Sequence, residues 1–483
     1  MRCNDKGIMD LKPGGLARSL PGATGSCRRG RNRPTARTKR RRNRTLDVAV
    51  VVFVAFLASS WNLRADQKPP LRLTLRDAVQ LALKQNPEVQ ISNLSVAQSE
   101  EDRRIARAGL MPQASVTTLE RVSRRNLEAF IGRRLPGVPQ HAGPFTTFEA
   151  GPAFSMPVFD LTLWRRFQAA SQGVKGHQAQ ELTVREQTAL LVASQYLASL
   201  RAAADVRAAQ SRVGLAQELY DQALELQKQG IATGLDTLRA NVQLQNEKQS
   251  LIVARTQLKT TLHGLVRLLN LDPLQTVELA DEMAFFEIPQ FQAALSLERA
   301  LATRPEVKAL ESRGVVATLE KKAASNARLP RIHLEGGWAY QGLSAASSIP
   351  SYQYQATLEV PLFTGGRIRA ETAKAELELK KIAREKQDLK NRIAMEVKTA
   401  MDQLDSARHE VEVANLGVTL AELEVAQARE RFKAGVAGNI EVTVAQDALA
   451  RANDNQISAL YRYNQARADF ARAMGEIETL YAR

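Results

Sequence analysis

The chain contains one structural unit twice, and this duplication limits the possible folds more than any other feature. The two copies keep the same order of sequence signals at separations of about 205 to 218 residues. The matching pairs are Pro87 with Pro305, Pro112 with Pro330, Pro157 with Pro361, and Gly230 with Gly435. This spacing is far longer than the period of roughly 20 to 50 residues that marks a solenoid. We therefore predict one unit used twice, each with a helix, a β-hairpin, a very long helix and a returning helix.

The start of the chain forms a separate segment in the predicted organisation. Basic residues at 39–44 precede an apolar stretch at 48–60, which is too short to span a bilayer comfortably. This pattern is typical of a signal peptide that is cleaved during export. We therefore expect a basic extension and signal peptide at 1–60, a first repeat at 61–290 and a second repeat at 291–483.

Cysteine use and charge exclude several classes of function. The only cysteines, Cys3 and Cys27, both precede the apolar stretch, so the exported chain has no disulfide and no thiol chemistry. No cysteine directly follows that stretch, so we predict no lipid anchor. The net charge is +16, but most of it lies before the apolar stretch and is lost on cleavage. The basic composition is therefore no argument for a nucleic-acid partner.

Two long stretches without proline predict helices of unusual length. Residues 162–229 and 367–434 each lack proline, and a rise of ~1.5 Å per residue makes each helix about 100 Å long. Apolar residues recur at spacings of three and four, as at Ile393, Val397 and Ala400. This spacing indicates a coiled-coil type of seam along each helix.

Each long helix is predicted to turn back at a glycine. Gly230 and Gly435 follow a cationic residue near the end of each helix, and both features stop helices. A further proline-free helix follows each glycine, and short connections make consecutive helices antiparallel. We therefore expect long helical hairpins over about 162–270 and 367–480.

Between the helices the hydrophobic period changes to two, which predicts β-strands. In the second repeat Ile332, Leu334 and Trp338 share one face and polar residues share the other. We predict β-hairpins over about 331–362 and about 113–158, with weaker alternation in the latter. Such strands fit an outer-membrane β-barrel, although a half-buried soluble sheet alternates in the same way. Export, and the lack of a core at the end of such long helices, favour the membrane.

Four strands are too few to close a barrel, because the smallest membrane barrels have about eight. Open sheet edges do not persist in lipid, so the chain must pool its strands with further copies. Three copies give a barrel of twelve strands. Two copies give a barrel of eight strands, and side chains would largely fill its interior. We prefer the trimer, since the helices below the barrel must also close into a tube.

Four motifs in this chain resemble those of the TolC-like outer-membrane efflux proteins, the outer-membrane factors of tripartite efflux systems. The motifs lie at 73–78 (LTLRDA), 86–88 (NPE), 107–112 (RAGLMP) and 360–367 (VPLFTGGR). The resemblance implies a mainly α fold with membrane β-structure: a homotrimer with a twelve-stranded β-barrel above a long α-helical periplasmic tunnel. It further implies a passive exit duct that docks to a periplasmic adaptor and, through it, serves an inner-membrane transporter.

The resemblance also suggests two sites. The tips of the helical hairpins would contact the adaptor, and here they are Gly230, Ile231, Ala232, Gly435, Val436 and Ala437. Some family members narrow the periplasmic aperture with acidic residues after the second tip. Glu441 matches that pattern in charge, Val444 departs from it, and Asp236 takes the equivalent place in the first repeat. For the tips, the alternative is that the glycines only turn the chain. For the aperture, the alternative is that Glu441 and Asp236 are solvated surface residues.

Catalytic and cofactor chemistry have little support in the sequence. The five histidines are scattered without ligand spacing, and no nucleophile motif is present, so we predict no enzyme, no metal and no cofactor. The main alternative to a duct is a structural coiled-coil protein of the periplasm or envelope. It accounts for the long helices but leaves the paired hairpins unexplained.

Overall fold

The computed structural model describes residues 69–134, 136–230, 233–285, 293–434, 436 and 439–481. The chain divides into two units, Met1–Asp66 and Gln67–Arg483. The first unit, with the predicted signal peptide and basic extension, lies outside the described residues.

The elements of the first repeat lie between residues 71 and 279. They are, in chain order, β1 (Leu71–Leu73), α1 (Leu75–Gln85), α2 (Pro87–Ala108), β2 (Gln113–Asn126), α3 (Leu127–Ile131), β3 (His141–Phe159), α4 (Leu161–Lys228), α5 (Gly234–Leu268) and β4 (Val277–Leu279).

The elements of the second repeat follow the same order. They are α6 (Ala293–Thr303), α7 (Pro305–Asn326), β5 (Arg331–Gly342), a 3₁₀ turn (Ala345–Ser347), β6 (Ile349–Glu359), α8 (Arg367–Lys433), α9 (Asn439–Met474) and α10 (Ile477–Tyr481). Helices α1 and α6 both have 11 residues, and α2 and α7 both have 22. The described elements thus have the duplicated order predicted from the sequence, while the repeat limits drawn there stay a prediction.

In each repeat the structure divides the helical segment before the hairpin at a proline. The residue before a proline is pushed out of the helical region, and Asn86 accordingly has an extended backbone (φ −61°, ψ 130°). Its side chain accepts from the Glu88 amide at 2.9 Å and donates to the Leu268 carbonyl at 2.8 Å. Arg304 has a similar backbone before Pro305 (φ −59°, ψ 125°). Both segments were read from the sequence as one helix.

Helices α4 and α8 span 68 and 67 residues, which at ~1.5 Å per residue makes each about 100 Å long. Their seams are built from small residues at heptad spacing. In α4 the buried positions include Ala202, Ala209, Ala216 and Ala223. In α8 they include Ala400, Ala407, Ala421 and Ala428, beside Val397, Val411, Val418 and Val425. A seven-residue repeat keeps one face of each helix against its neighbours.

The returning helices pack antiparallel to the long ones, α5 on α4 and α9 on α8. The second returning helix ends earlier than predicted, at Met474 rather than near 480. Gly475 there has a left-handed backbone (φ +71°), and the short helix α10 then folds back against α4. Among the described residues, no helix is both long enough and apolar enough to cross a membrane.

The four long strands form one antiparallel sheet in the order β2-β3-β5-β6. The pairing of β3 with β5 joins the hairpins of the two repeats, with Phe154 opposite Gly336. Trp338 in turn lies opposite Tyr352 across β5 and β6. Within the described part of the chain, the outer edges of β2 and β6 have no partner strand.

A buried ion-pair network fastens α7 to α8 and α9 near the start of the second repeat. Arg304, whose side chain is only 6% exposed, pairs with Glu396 at 2.5 Å and with Glu306 at 3.3 Å. Arg472 of α9 also pairs with Glu306. Burial alone would raise the pKa of Glu306. The charge and the hydrogen bond of Arg472, together with the charge of Arg304, outweigh the effect of burial, so the pKa of Glu306 lies below its ordinary value.

Replacing Glu306 with Gln should destabilise the protein by about 3 kcal/mol, because it leaves buried arginine charge without its partner. The wild-type contribution should be fully present above an unfolded-state pKa of about 4.3 and be lost as the pH falls through the lower folded-state pKa. Thermal melting of the helical circular dichroism signal, measured from neutral to acidic pH, tests both statements.

The matched control is Glu311→Gln, which breaks the exposed pair of Glu311 with Lys386 (2.7 Å). Exposed pairs contribute about 0 to 1 kcal/mol, so its midpoint should stay close to that of the wild type. Equal midpoints for both variants would contradict a stabilising role for the buried network.

Candidate functional site: the hairpin tips and the exposed sheet

The first hairpin tip turns at Gly230, as predicted. Gln229 donates its backbone N–H to the Glu225 carbonyl at 3.1 Å, and Gly230 follows with φ +78°. No atom lies within 4 Å of the position that a Cβ would take there, so the backbone angle alone calls for glycine. Ile231 and Ala232, the other predicted docking residues of this tip, lie outside the described residues.

Asp236 caps the helix that leaves the first tip. Its carboxylate accepts from the backbone N–H of Thr233 at 3.1 Å and from the Thr233 hydroxyl at 2.7 Å, while the Asp236 N–H donates to that hydroxyl. The Thr233 side-chain bond and then its backbone bond hold the pKa of Asp236 below the ordinary value. Sequence reasoning considered Asp236 only as an aperture residue and missed this cap, although Thr-x-x-Asp before a helix is a recognisable signal.

At the second tip the structure describes only part of the predicted site. Gly435 and Ala437 lie outside the described residues. Val436 is 71% exposed, and its N–H donates to the Arg431 carbonyl at 3.0 Å, the six-to-one bond that ends many helices. An exposed valine at the end of the hairpin is an apolar contact available to a partner.

Glu441 lies in the first turn of α9 and pairs with Arg431 of α8, with Nε and Oε1 2.9 Å apart. Both side chains are about half exposed, so the pair is solvated and contributes little to stability. A carboxylate in the first helical turn is also favoured by the helix dipole. Of the two acids predicted at the aperture, Asp236 thus caps its own helix and Glu441 pairs across the hairpin turn, and Val444 near Glu441 is exposed.

The sheet has one apolar and one polar face, and both are open to the surroundings of this chain. The strand registers place the apolar side chains together; they are Val116, Val122, Phe148, Phe154, Met156, Ile332, Leu334, Trp338, Tyr340, Tyr352, Tyr354 and Leu358. Polar residues share the opposite face and line a cavity of about 670 Å³; they include Gln113, Ser115, Glu149, Glu335, Gln341, Gln353 and Gln355. Trp338 is 41% and Tyr352 74% exposed, which is too much apolar surface for a sheet that faces water on both sides.

In the described residues, no three His, Cys, Asp or Glu side chains come together in a way that could hold a metal ion. The prediction that the chain is not an enzyme therefore depends on its family.

Comparison with known proteins assigns that family. The model of the family described as outer membrane efflux protein matches residues 78–271 and 296–476. The chain is 25% identical over 407 residues to the alkaline protease secretion protein AprF of Pseudomonas aeruginosa, covering 81% of this chain and 82% of that protein. It is 21% identical over 389 residues to the outer membrane protein TolC of Vibrio cholerae, covering 77% and 84%. The crystal structure of the Campylobacter jejuni CmeC outer membrane channel superposes with a TM-score of 0.71 at 17% identity, covering 83% and 85%.

Long duplicated helical hairpins that carry an exposed sheet with one apolar face define the architecture of an outer-membrane channel. The chain belongs to the outer membrane efflux protein family. It is an exit duct of the outer membrane, and the fold class and resemblance predicted from its sequence are confirmed. The roles of individual tip residues stay predictions.

Replacing Gly230 with Val should loosen the first tip, because a β-branched residue at φ +78° is strained by more than about 1–2 kcal/mol. Gly230→Asn is the matched control, since asparagine visits this backbone region. Amide hydrogen exchange should speed up in the last turn of α4 and the first turn of α5 for the valine variant only. The same exchange in both variants would show that the turn does not depend on this backbone angle.

Proposed function

We propose that this exit duct works as a homotrimer whose sheets close into a twelve-stranded barrel in outer-membrane lipid. The argument starts from the open edges of β2 and β6. Lipid supplies no hydrogen bonds to unpaired backbone N–H and C=O groups, so these edges need partners. Pairing β2 of one copy with β6 of the next satisfies both edges, and three-fold symmetry closes the ring.

The height of the apolar face supports a place in the membrane. From Ile332 to Tyr340 the apolar face of β5 runs eight residues, or about 27 Å along the strand. With a tilt near 40° this corresponds to about 20 Å, close to the ~25 Å apolar band of membrane barrels. Trp338 and Tyr340 lie towards one end of this band, where aromatic belts occur.

The helices below the sheet would form the periplasmic tunnel. Three copies of α4 and α8 supply six helices of about 100 Å, and α5 and α9, with 35 and 36 residues, return along about half of that length. Helix α4 leaves the sheet in a fixed direction, because Asp160, between β3 and α4, accepts from the backbone N–H groups of Thr162 and Leu163. If the strands of three copies close into a ring, the helices that follow them are therefore arranged in a ring as well.

The hairpin tips are the surfaces that we assign to the periplasmic adaptor. The exposed apolar residues there are Leu235, Leu238, Val436, Ile440 and Val444. Together with the predicted residues Gly230, Ile231, Ala232, Gly435 and Ala437, they provide an apolar contact at the end of the duct. Through the adaptor the duct would serve an inner-membrane transporter, and substrates would pass without catalysis, metal or cofactor. Export by a cleaved signal peptide, with no lipid anchor, completes the proposal.

Electron microscopy of the protein extracted from outer membranes in detergent tests the assembly. We expect particles longer than ~100 Å, as the helix rise requires, with three-fold end views. A two-stranded particle, or a protein that stays soluble without detergent, would instead favour the structural coiled coil.

Replacing Glu441 with Ala should reduce the cation selectivity of single channels in planar bilayers. Three copies of this carboxylate at the tunnel end would attract cations, and charged rings of this kind govern selectivity. Replacing Arg431 with Gln should act in the opposite direction, because it frees Glu441 from its 2.9 Å partner.

The control is Glu376→Ala, which removes an exposed, paired carboxylate of α8 far along the helix from the tip. We expect its currents to match those of the wild type. If Glu441→Ala also leaves ion selectivity unchanged, Glu441 is a surface residue and the aperture is formed by other groups.

A further inference from the structure

The first-repeat hairpin extends beyond the rest of the sheet. Strands β2 and β3 have 14 and 19 residues, against 12 and 11 for β5 and β6. The last pair between β3 and β5 is Phe148 with Gly342, whereas β2 and β3 remain paired as far as Asn126 with His141. Residues 121–134 and 136–141 therefore form a projection at the end of the sheet away from the long helices.

The registers also place this projection outside the apolar band. Tyr340, in the aromatic belt, lies level with Ala150 of β3 and Thr118 of β2. The next residue of β2 on that face is Glu120, an exposed carboxylate that interrupts the apolar face of this strand opposite Phe148. With the sheet in the membrane as proposed above, this projection lies at and beyond the outer headgroup region.

The projection is rich in arginine. The arginines of this segment are Arg121, Arg124, Arg125, Arg133 and Arg134, and Glu128 is its one acidic residue. Within the described chain, none of these arginines has an ion pair. Arginines of the helical region, such as Arg313 and Arg472, are by contrast paired with carboxylates.

Strand alternation separates these arginines onto two faces. The irregularity near residue 124 adds its extra residue to β3, so the side chains of β2 keep alternating between the two faces. Arg124 therefore follows Val122 on the apolar face, and Arg121 and Arg125 lie on the polar face. In a barrel the apolar face is turned to lipid and the polar face to the channel. Arg124 is therefore on the lipid side, and Arg121 and Arg125 are at the channel mouth.

Two of the guanidinium groups contact consecutive residues at the start of β3, His141 and Gln140. Arg124 donates from Nη2 to Nε2 of His141 at 2.6 Å, and the guanidinium of Arg134 contacts the side-chain amide of Gln140. The Gln140 carbonyl accepts from the Leu127 N–H at 2.9 Å, which ties this point to α3. Helix α3 exposes 82% of Phe130, so an apolar side chain accompanies the two cations.

We propose that Arg124 and Arg134 bind phosphate groups of lipid headgroups in the outer leaflet. The inference rests on the membrane placement proposed above and assigns a ligand to a surface that the duct itself does not need. Arginine matches phosphate through paired N–H donors, and exposed cations beside an apolar anchor are typical of contacts with an anionic membrane surface. The position of Arg124 on the lipid side favours a lipid over a phosphorylated substrate inside the channel.

The test uses the full-length trimer, purified from outer membranes in neutral detergent, and fluorescent lipopolysaccharide as the phosphorylated glycolipid. Each arginine near an anionic surface contributes about fivefold to binding. The variant R124Q/R134Q, which lacks two, should therefore bind the lipopolysaccharide roughly 20- to 30-fold more weakly than the wild type. The matched control R121Q/R125Q removes the same charge from the polar face and should change binding by less than about twofold. Dephosphorylated lipopolysaccharide should bind the wild type as weakly as the variant binds the intact lipid.

Four results would overturn the proposal: equal weakening by both double variants, weakening by R121Q/R125Q alone, no weakening by either, or unchanged binding of the dephosphorylated lipid. Equal weakening would indicate general charge attraction, and a loss confined to R121Q/R125Q would instead indicate an anionic ligand at the channel mouth. Single-channel currents of both variants, recorded in parallel, distinguish a failed lipid site from a failed duct. Normal currents with normal lipid binding leave the duct intact and refute the lipid site alone.

Discussion

The need to pair every backbone polar group in lipid governs this architecture. Each chain brings four strands and two open edges, β2 and β6, to a medium that offers no hydrogen bonds. In the proposed trimer, the neighbouring copies supply the missing partners. Since α4 starts directly after β3 and α8 shortly after β6, the arrangement of strands also fixes where the long helices begin. The helices then need only small residues at heptad spacing, such as Ala202 and Ala209, to stay together over about 100 Å.

Much of this fold could be predicted because it follows from periodicity and from residues with special backbones. Prolines, glycines and the change from helical to alternating period located the repeats, the sheet and the first tip at Gly230. The helix break before Pro87 was missed, although proline restricts the preceding residue. The network around Arg304 could not have been predicted, because it joins residues far apart in sequence whose spacing carries no periodic signal.

The hairpin tips show why a charge pattern alone is weak evidence for a function. Asp236 and Glu441 hold equivalent places in the two repeats, yet Asp236 caps a helix and Glu441 pairs across the turn with Arg431. The capping bonds of Asp236 hold its carboxylate in place at the start of the helix, which leaves it little freedom to turn towards a passing ion. The carboxylate of Glu441 is held only by a solvated pair, which a change in the tip can break at little cost. The physical contacts therefore favour Glu441 of the two.

The two copies of the unit have also diverged in how they hold their helices together. At equivalent positions before a proline, Asn86 joins its neighbours through neutral amide bonds, whereas Arg304 does so through buried ion pairs. Acid has little effect on the first junction but protonates Glu306 in the second once the pH falls through its depressed pKa. Because that junction fastens α7 to the helical hairpin of α8 and α9, protonation of Glu306 weakens the contact between these elements, while the amide bonds of Asn86 persist.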